Sequence, residues 1–345
     1  MYRLDNRFPA EWEPQSGVML TWPHVGTDWC DMLEEVERCY VAMAVAIARY
    51  EPLLIVTPDV EGVRERLRGV MDVEGVRFCS CPTDDTWARD HGFLTVLKGR
   101  GARLLDFCFN GWGGKFGAEQ DNDINRRLYG EGCLSGEYVD CLDFVLEGGS
   151  VESDGQGTLL ATAQCLTAAG RNDMSEDEVA AYLCERLCCD RVLWLRSGLL
   201  EGDDTDGHVD TLARFCEHDT IAYVNCRDEE DVHYVGLQAM EEELRSFRTS
   251  GGAPYRLLPL PLPDAIYEGS ERLPATYANF LVINGAVLMP TYGQPLKDGL
   301  AMEAMRIAFP HRDVIGVDCR ALIRQHGSLH CSTMQFPEGV LRVKG

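Results

Sequence analysis

The feature of this sequence that most constrains its fold is a short unit that recurs along the chain: an amphipathic helix, an apolar strand, a polar stretch and a second strand. Apolar residues at three- and four-residue steps predict the clearest helix, at Leu33, Val36, Tyr40, Met43 and Ile47. A capping box of Ser175 and Glu178 predicts the start of another helix. A similar apolar spacing from Val232 through Val235 to Phe247 predicts a third.

Short apolar runs of strand character follow most of the helices. They occupy residues 76–79, 138–141, 191–195, 255–258 and 314–317. After each run comes a polar, often glycine-containing stretch. A second strand then follows in most units, at residues 93–97, 158–161, 221–224 and 280–283. Shorter helices are predicted near residues 59–71 and 298–308.

The polar stretches define the spacing of this repeat. They recur at intervals of roughly 50 to 70 residues and are centred near Asp90, Glu147, His208, Asn279 and Cys331. Recurrence of one supersecondary unit is typical of propeller-like architectures, in which equivalent loops converge on an axis. We therefore predict a single α/β domain over residues 1–345, built as a propeller of five units. An ordinary α/β sheet with irregular insertions is the alternative.

Charge and composition narrow the possible partners. The formal net charge of −24 argues against nucleic acid or an anionic membrane, because both are bound through basic surfaces. It suits a small cationic substrate, although acidic residues also simply keep a protein soluble. Residues 1–6 lack the apolar stretch of a secretory signal, and no run reaches the roughly 20 apolar residues needed to span a bilayer. We expect a cytoplasmic protein whose 15 cysteines are mostly small buried hydrophobes.

Several segments resemble cofactor or metal sites but lack essential residues. The run 113–115 resembles a phosphate loop, yet Phe116 stands where Ser or Thr is needed and also breaks the dinucleotide fingerprint. The run 204–207 lacks the first and last ligands of a calcium loop. The cysteines at 79–81 and 188–189 lack the spacing of a structural zinc site. We therefore expect neither NAD nor ATP, no metal and no other cofactor.

A histidine among acids is the strongest candidate for chemistry. His208 and Asp210 come directly before a strand-like run at residues 211–215. Residues two apart in a strand face the same side, so we expect the two side chains to point into one pocket. A carboxylate keeps a neighbouring imidazole oriented and basic. A solvated acidic loop is the alternative, above all for Asp203 and Asp204.

Two further acids lie in equivalent polar stretches. Asp90 is found where the chain enters the run 93–97, a usual place for site residues. A surface ion-pair cluster around Arg89 is the alternative. Glu147 is followed by two glycines, which either permit close approach of a ligand to the backbone or form a turn.

Several acids in one site suit a guanidinium group. Carboxylates bind its planar fork of N–H donors and hold its charge. Its central carbon is a poor electrophile, so the best side-chain nucleophile would be a thiolate. Cys331 is the candidate thiol because its neighbours His330, Ser332 and Thr333 are small or polar. Taken alone, one cysteine among 15 is better explained as an inert buried residue.

Ordered motifs run through nearly the whole chain. They are Pro9-Ala10-Glu11-Trp12-Glu13-Pro14, Thr21-Trp22-Pro23, Asp85-Thr86-Trp87-Ala88-Arg89-Asp90, Phe109-Asn110-Gly111-Trp112-Gly113-Gly114-Lys115-Phe116, Glu147-Gly148-Gly149, Asp206-Gly207-His208-Val209-Asp210 and His330-Cys331. In these motifs the chain resembles the family of agmatine deiminases and bacterial, Porphyromonas-type peptidylarginine deiminases, which are guanidino-group modifying enzymes. The resemblance implies the pentein fold, a five-bladed pseudo-symmetric α/β propeller.

The resemblance also implies a role for each candidate residue. Cys331 would be the nucleophile and His208 the general acid and base. Asp90 and Asp210 would hold the guanidinium, and Glu147 would support His208 and the substrate. The implied reaction passes through a covalent S-alkylthiouronium on the cysteine, which water then hydrolyses.

The substrate that the resemblance favours is agmatine, converted to N-carbamoylputrescine and ammonia on the route to putrescine. Trp87 and Trp112 would pack against its aliphatic chain or terminal amine, or else be core aromatics. Residues 326–329 and 332–335 depart from the pattern typical of agmatine deiminases, so a deiminase acting on free arginine or peptidylarginine is an alternative.

Two further functions, outside the deiminases, are alternatives. The same fold could serve as a non-catalytic binding protein, but loss of the thiol, the imidazole or the acids would mark that outcome. A cysteine protease using Cys331 and His208 is disfavoured, because a protease needs an oxyanion hole and one orienting acid. A homo-oligomer is possible.

Overall fold

The computed structural model describes residues 6–342. The ends of the predicted domain, residues 1–5 and 343–345, lie outside the described residues. Within residues 6–342, no helix combines the length and the apolar composition that crossing a membrane requires.

The strands are numbered here in chain order. They are β1 (Asn6–Arg7), β2 (Gln15–Thr21), β3 (Leu53–Thr57), β4 (Val76–Ser80), β5 (Leu94–Lys98), β6 (Gly101–Cys108), β7 (Glu137–Val145), β8 (Val151–Ser153), β9 (Thr158–Thr162), β10 (Arg191–Leu195), β11 (Ala213–Cys216), β12 (Thr220–Asn225), β13 (Arg256–Pro261), β14 (Tyr267–Glu268), β15 (Glu271–Arg272), β16 (Leu281–Ile283), β17 (Ala286–Thr291), β18 (Asp313–Asp318) and β19 (Thr333–Pro337).

Five sheets share one plan, in which a first strand runs antiparallel to a second and the second runs parallel to a third. These strand triplets are β19-β2-β3, β5-β6-β7, β8-β9-β10, β11-β12-β13 and β16-β17-β18. Strand β4 extends the first sheet and β1 the second, while β14 and β15 form a small separate hairpin. The predicted α/β fold of five repeated units is confirmed.

The helical segments of the described residues range from single turns to four turns. They are α1 (Leu33–Ile47), α2 (Val60–Arg68), α3 (Ala88–His91), α4 (Gly111–Gly114), α5 (Ile124–Gly130), α6 (Ala163–Leu166), α7 (Glu176–Arg186), α8 (Tyr234–Ser246) and α9 (Pro295–Ala308). The longer ones pack between neighbouring sheets, since α8 contacts β10 and β12, and α9 contacts β13 and β18.

Most of the predicted helices are confirmed. Helix α1 starts and ends at the first and last residues of its apolar pattern and buries Val36, Tyr40, Met43 and Ile47. The capping box at the start of α7 is present, with the Ser175 hydroxyl accepting from the backbone N–H of Glu178 and the Glu178 carboxylate accepting from the backbone N–H of Ser175. Local side-chain chemistry was sufficient to predict these elements.

The apolar face predicted for the third helix is wrong at its start. Val235 is 78% exposed, whereas α8 buries Leu237, Met240 and Leu244. Val235 precedes Leu237 by two residues and therefore lies about 200° away around the helix. Only the three- and four-residue steps after Leu237 follow the buried face.

Several strands were not predicted: β2, β3 and β19 of the first sheet, and β6, β8 and β17 of other sheets. Strands β3 and β8 are buried along their whole length. A strand buried on both faces shows no alternation of apolar and polar residues, so periodicity does not distinguish it from a buried helix. The structure therefore has three strands in units for which the sequence predicted two, as where β6 lies between the predicted strands β5 and β7.

Candidate active site

The five polar stretches all lie at the same structural position, where the chain crosses from the last strand of one sheet to the first strand of the next. Asp90 lies in α3 before β5, and Glu147 precedes a 3₁₀ turn before β8. His208 caps a 3₁₀ turn before β11. Asn279 and Cys331 stand just before β16 and β19. This shared position brings residues from distant parts of the chain together.

Gly149 is the point at which three of the predicted side chains meet. A Cβ atom at this position would lie 2.6 Å from His208 Nδ1, 2.9 Å from Asp90 Oδ1 and 3.1 Å from Asp210 Oδ2. Its backbone N–H donates to Asp90 Oδ1 over 3.0 Å. A side chain here would collide with all three groups. The absence of a side chain therefore lets the two aspartates and the histidine approach the backbone of Gly149 closely.

The Cys331 thiol lies beside this group and is almost fully buried. It donates toward Asn279 Oδ1 at 3.4 Å and Asp210 Oδ2 at 3.9 Å. Burial raises the pKa of Cys331 well above its usual value, and the carboxylates of Asp210 and Asp90 raise it further. The group is therefore a thiol at neutral pH in the absence of a compensating cation.

His208 has no solvent exposure, and its Nδ1 lies 3.7 Å from Asp90 Oδ1. Burial alone lowers the pKa of His208, but Asp90, Cys165 and Glu147 more than offset this, and the pKa ends well above its usual value. The expected convergence of His208 and Asp210 is found. The predicted reason is wrong, since the pair belongs to a 3₁₀ turn and not to a strand.

The two central carboxylates have different environments. Asp90 accepts from Trp112 Nε1 over 2.9 Å, and burial raises its pKa to about 6 although His208 opposes the shift. For Asp210, burial also raises the pKa, but the hydrogen bond with His330 and the nearby His208 and Arg214 together outweigh it, so the pKa is lowered. Oδ1 of Asp210 is buried and has no hydrogen-bond partner among the described residues. An unpartnered buried acceptor of this kind calls for a donor from a ligand.

Glu147 forms an ion pair that the sequence did not predict. Its Oε1 lies 3.1 Å from Arg171 Nε, and neither side chain has any solvent exposure. Arg171 also donates to the carbonyl of Thr205 over 2.9 Å, close to His208 in the chain. One signal was available, because Arg171 is the only charged residue between Asp154 and Asp173.

A second buried network lies behind the carboxylates. His330 Nδ1 lies 2.7 Å from Asp210 Oδ2, and its Nε2 lies 2.7 Å from Glu11 Oε2, so each ring nitrogen is within hydrogen-bonding distance of a carboxylate. Glu11 also pairs with Arg214 at 2.8 Å and with Arg89 at 3.7 Å. The ion-pair alternative for the Arg89 region is thus partly right, but the cluster is buried and not on the surface.

A pocket opens above the thiol and contains both predicted tryptophans. It is lined by Asp28, Asp85, Trp87, Asp90, Trp112, Phe116, Asp204, Thr205, Gln325, His326, Gly327 and Cys331. Trp87 Nε1 donates to Asp85 over 3.1 Å. Gly327 is required here, because a Cβ atom would lie 2.2 Å from the Trp87 ring. Asp203 is absent from this lining and instead accepts from Thr205 and Gly207 in its own loop.

Two groups of metal-ligating side chains lie at this centre, Glu147 with Cys165 and His208, and Glu11 with Glu152 and His330. Their carboxylates already bind arginine guanidinium groups. Arg171 pairs with Glu147, and Arg214 pairs with both Glu11 and Glu152. In both groups an arginine side chain thus already neutralises carboxylate charge.

Residues 7–337 match a family model described as Porphyromonas-type peptidyl-arginine deiminase. The chain belongs to this family. It is 34% identical to the agmatine deiminase of Ectopseudomonas mendocina (strain ymp), with 95% of each chain covered.

Solved structures agree with this family membership. A proposed arginine deiminase of Porphyromonas gingivalis is 51% identical, with a TM-score of 0.92 over 98% of this chain and 100% of that one. A cysteine-to-serine variant of the C. jejuni agmatine deiminase, solved with substrate bound, is 37% identical, with a TM-score of 0.90 over 98% and 97% of the two chains. The Porphyromonas-type deiminase fold thus extends over nearly the whole chain.

Proposed function

We propose that the chain is an agmatine deiminase, which hydrolyses the guanidinium of agmatine to N-carbamoylputrescine and ammonia in putrescine biosynthesis. The observation that carries this proposal is the meeting of one thiol, one imidazole and two carboxylates at the floor of an acidic, tryptophan-lined pocket. The full-length similarity to agmatine deiminases supports it.

Binding of the substrate would satisfy the unpartnered groups of the site. The guanidinium N–H groups would donate to Asp90 and to Asp210, whose Oδ1 has no partner among the described residues. These carboxylates hold the planar cation in one orientation. Its positive charge also offsets the two carboxylates that raise the pKa of Cys331. Substrate binding would thereby favour the thiolate, so that the nucleophile forms where it is needed.

The first half of the reaction forms a carbon–sulfur bond. The Cys331 thiolate adds to the central guanidinium carbon, whose C=N electron pair moves onto nitrogen. The raised pKa of His208 makes it an imidazolium that can protonate one departing nitrogen. The carbon–nitrogen bond then breaks, ammonia leaves, and a cationic S-alkylthiouronium remains on Cys331.

The second half restores the thiol. His208, now neutral, takes a proton from a water molecule that adds to the same carbon. The tetrahedral adduct collapses with the electron pair leaving on the Cys331 sulfur, which takes one proton from the protonated ureido group, and the neutral product is released. We assign Glu147, fixed by Arg171, to the support of His208 and the substrate.

The pocket mouth supports a substrate with a cationic tail. Asp28, Asp85 and Asp204 line it together with the two tryptophans. A primary ammonium suits three acids and two aromatic faces, whereas the α-carboxylate of free arginine would meet like charge. We therefore assign Trp87 and Trp112 to the aliphatic chain and the amine of agmatine.

The deciding experiment measures ammonia release from the purified chain with agmatine, free arginine and an arginyl peptide side by side. We expect kcat/KM to be highest for agmatine. A higher value for the peptide or for arginine would replace the proposed substrate, and no release from any of the three would favour a non-catalytic binding protein. The cytoplasmic location, the single domain over residues 1–345 and a homo-oligomeric state stay predictions.

A further inference from the structure

A cluster of two thiols and a carboxylate lies outside the pocket described above. The Sγ atoms of Cys79 and Cys133 and a carboxylate oxygen of Glu131 all lie within 4.8 Å of one another. The Cys79 thiol donates to Glu131 Oε2 over 3.2 Å. Both cysteines are 1% exposed, whereas Glu131 is exposed. The cluster thus has a buried sulfur side and one side open to solvent.

Three parts of the fold meet at this cluster. Cys79 lies on β4, the edge strand of the first sheet, and Cys133 follows α5 in the second unit. The backbone carbonyl of Cys133 accepts from the N–H of Arg342 in the C-terminal segment. A ligand held by the two sulfurs would therefore link two neighbouring sheets close to the chain end.

We propose that Cys79, Cys133 and Glu131 form a binding site for one thiophilic divalent cation of the Zn²⁺ class. Two thiolates and one carboxylate are donors that zinc accepts, and three protein ligands leave a fourth position for water, as at other open zinc sites. The exposed side of the cluster provides that position. Soft sulfur donors exclude Mg²⁺ and Ca²⁺, which take oxygen ligands.

The geometry requires little rearrangement. Tetrahedral zinc with its usual bond length to sulfur holds two sulfurs about 4 Å apart, and the ligand atoms already lie within 4.8 Å of one another. Cys81 is also buried nearby, but its thiol donates to the carbonyl of Pro82 instead. The site therefore uses Cys79 and Cys133. These two residues are too far apart in the sequence to be recognised there as a closely spaced zinc-binding pair.

The charge of the filled site is also balanced. Three anionic donors and one divalent cation leave a single negative charge. The Arg77 side chain donates to the backbone carbonyls of Glu131 and Arg342. Its guanidinium is placed to neutralise the remaining charge, which is how surrounding residues commonly support metal ligands.

The test uses the reduced, chelator-treated full-length chain, titrated with Zn²⁺ by calorimetry and with Co²⁺ by absorption. We expect one equivalent of tightly bound Zn²⁺ that is absent from the Cys79→Ser/Cys133→Ser double variant. The Co²⁺ complex should show the intense thiolate-to-metal charge-transfer band, and the double variant should lose it. Glu131→Gln should keep the band but bind at least about tenfold more weakly.

Two controls separate this site from other thiols. Cys30→Ser removes an exposed free cysteine and should leave binding unchanged, and near-ultraviolet circular dichroism should show that every variant keeps the wild-type fold. Any cation at the Glu147, Cys165 and His208 group would persist in the double variant and be counted separately. The proposal is overturned if the double variant binds as much metal as the wild type. It is equally overturned if the reduced wild type binds none.

Discussion

The side-chain oxygen of Asn279 accepts a hydrogen bond from the backbone N–H of Cys331 over 3.2 Å and lies 3.4 Å from the Cys331 sulfur. The same oxygen accepts from the N–H of His330 over 2.9 Å, and the Asn279 amide nitrogen donates to the carbonyl of Asp210. One amide thereby orients the Cys331 thiol and joins it to the turn that carries Asp210.

Asn279→Ala should lower kcat for ammonia release while KM for agmatine changes little. Removing the acceptor leaves the buried Cys331 N–H unsatisfied, which costs about 1–3 kcal/mol and frees the Cys331 backbone, whereas the His330 N–H keeps the backbone carbonyl of residue 279. We expect a loss of about tenfold to a hundredfold in kcat. Steady-state kinetics measure this, with Asn279→Asp as the matched variant that keeps an acceptor but places a negative charge beside the thiol. A rise in KM at constant kcat would contradict a positioning role.

Cys331→Ala should abolish ammonia release and leave the fold intact, because no other described thiol lines the pocket. In the wild type, rapid acid quenching with agmatine followed by mass spectrometry should detect the covalent adduct on the peptide that contains Cys331. Cys30→Ser, which removes an exposed thiol, is the control and should remain active. Residual activity in Cys331→Ala would remove this residue from the mechanism.

Alkylation of Cys331 by iodoacetamide should depend on pH in a way that differs from an ordinary thiol. Burial, Asp210 and Asp90 raise the pKa of Cys331, and only the thiolate reacts. The rate in the free protein should therefore keep rising above pH of about 8.5, where an unperturbed cysteine is half ionised. Asp90→Asn removes a negative charge and should shift the profile to lower pH. A plateau near neutral pH would show that the free thiol is already ionised.

Arg171→Met should destabilise the protein by about 3–5 kcal/mol, because it leaves the Glu147 carboxylate buried without its cation. Urea unfolding measures the change. Combining it with Glu147→Gln should recover part of the loss, since the double variant no longer buries an unpaired charge. Strictly additive losses would mean that the two side chains act independently.

Asp204→Asn should raise KM for agmatine by about tenfold, as expected when one charge pair to the substrate is lost. The same change should have little effect on KM for butylguanidine, which has no terminal amine. The comparison of the two substrates in one variant isolates the cationic tail from the guanidinium. Equal effects on both would place Asp204 outside recognition of the amine.

The sequence predicted the positions of the site residues better than it predicted their contacts. The repeat placed Asp90, Glu147, His208 and Cys331 in equivalent loops, because local periodicity identifies the strands around them. It did not predict the link from His330 to Glu11, which joins residues at opposite ends of the chain. It also missed the role of Arg171, whose partner lies 24 residues away. Contacts of this kind depend on how the sheets assemble, and no local pattern contains them.

The pairing of β19 with β2 means that the last strand of residues 6–342 completes the sheet that the first long strand begins. Cys331 stands directly before that closing strand. A ribosome releases the N-terminal units first, so a nascent chain already contains the acids and the histidine while its first sheet still lacks an edge. The Cys331 thiol can therefore take its place only after residues 331–337 have left the ribosome, and a shorter nascent chain lacks the sulfur of the proposed site.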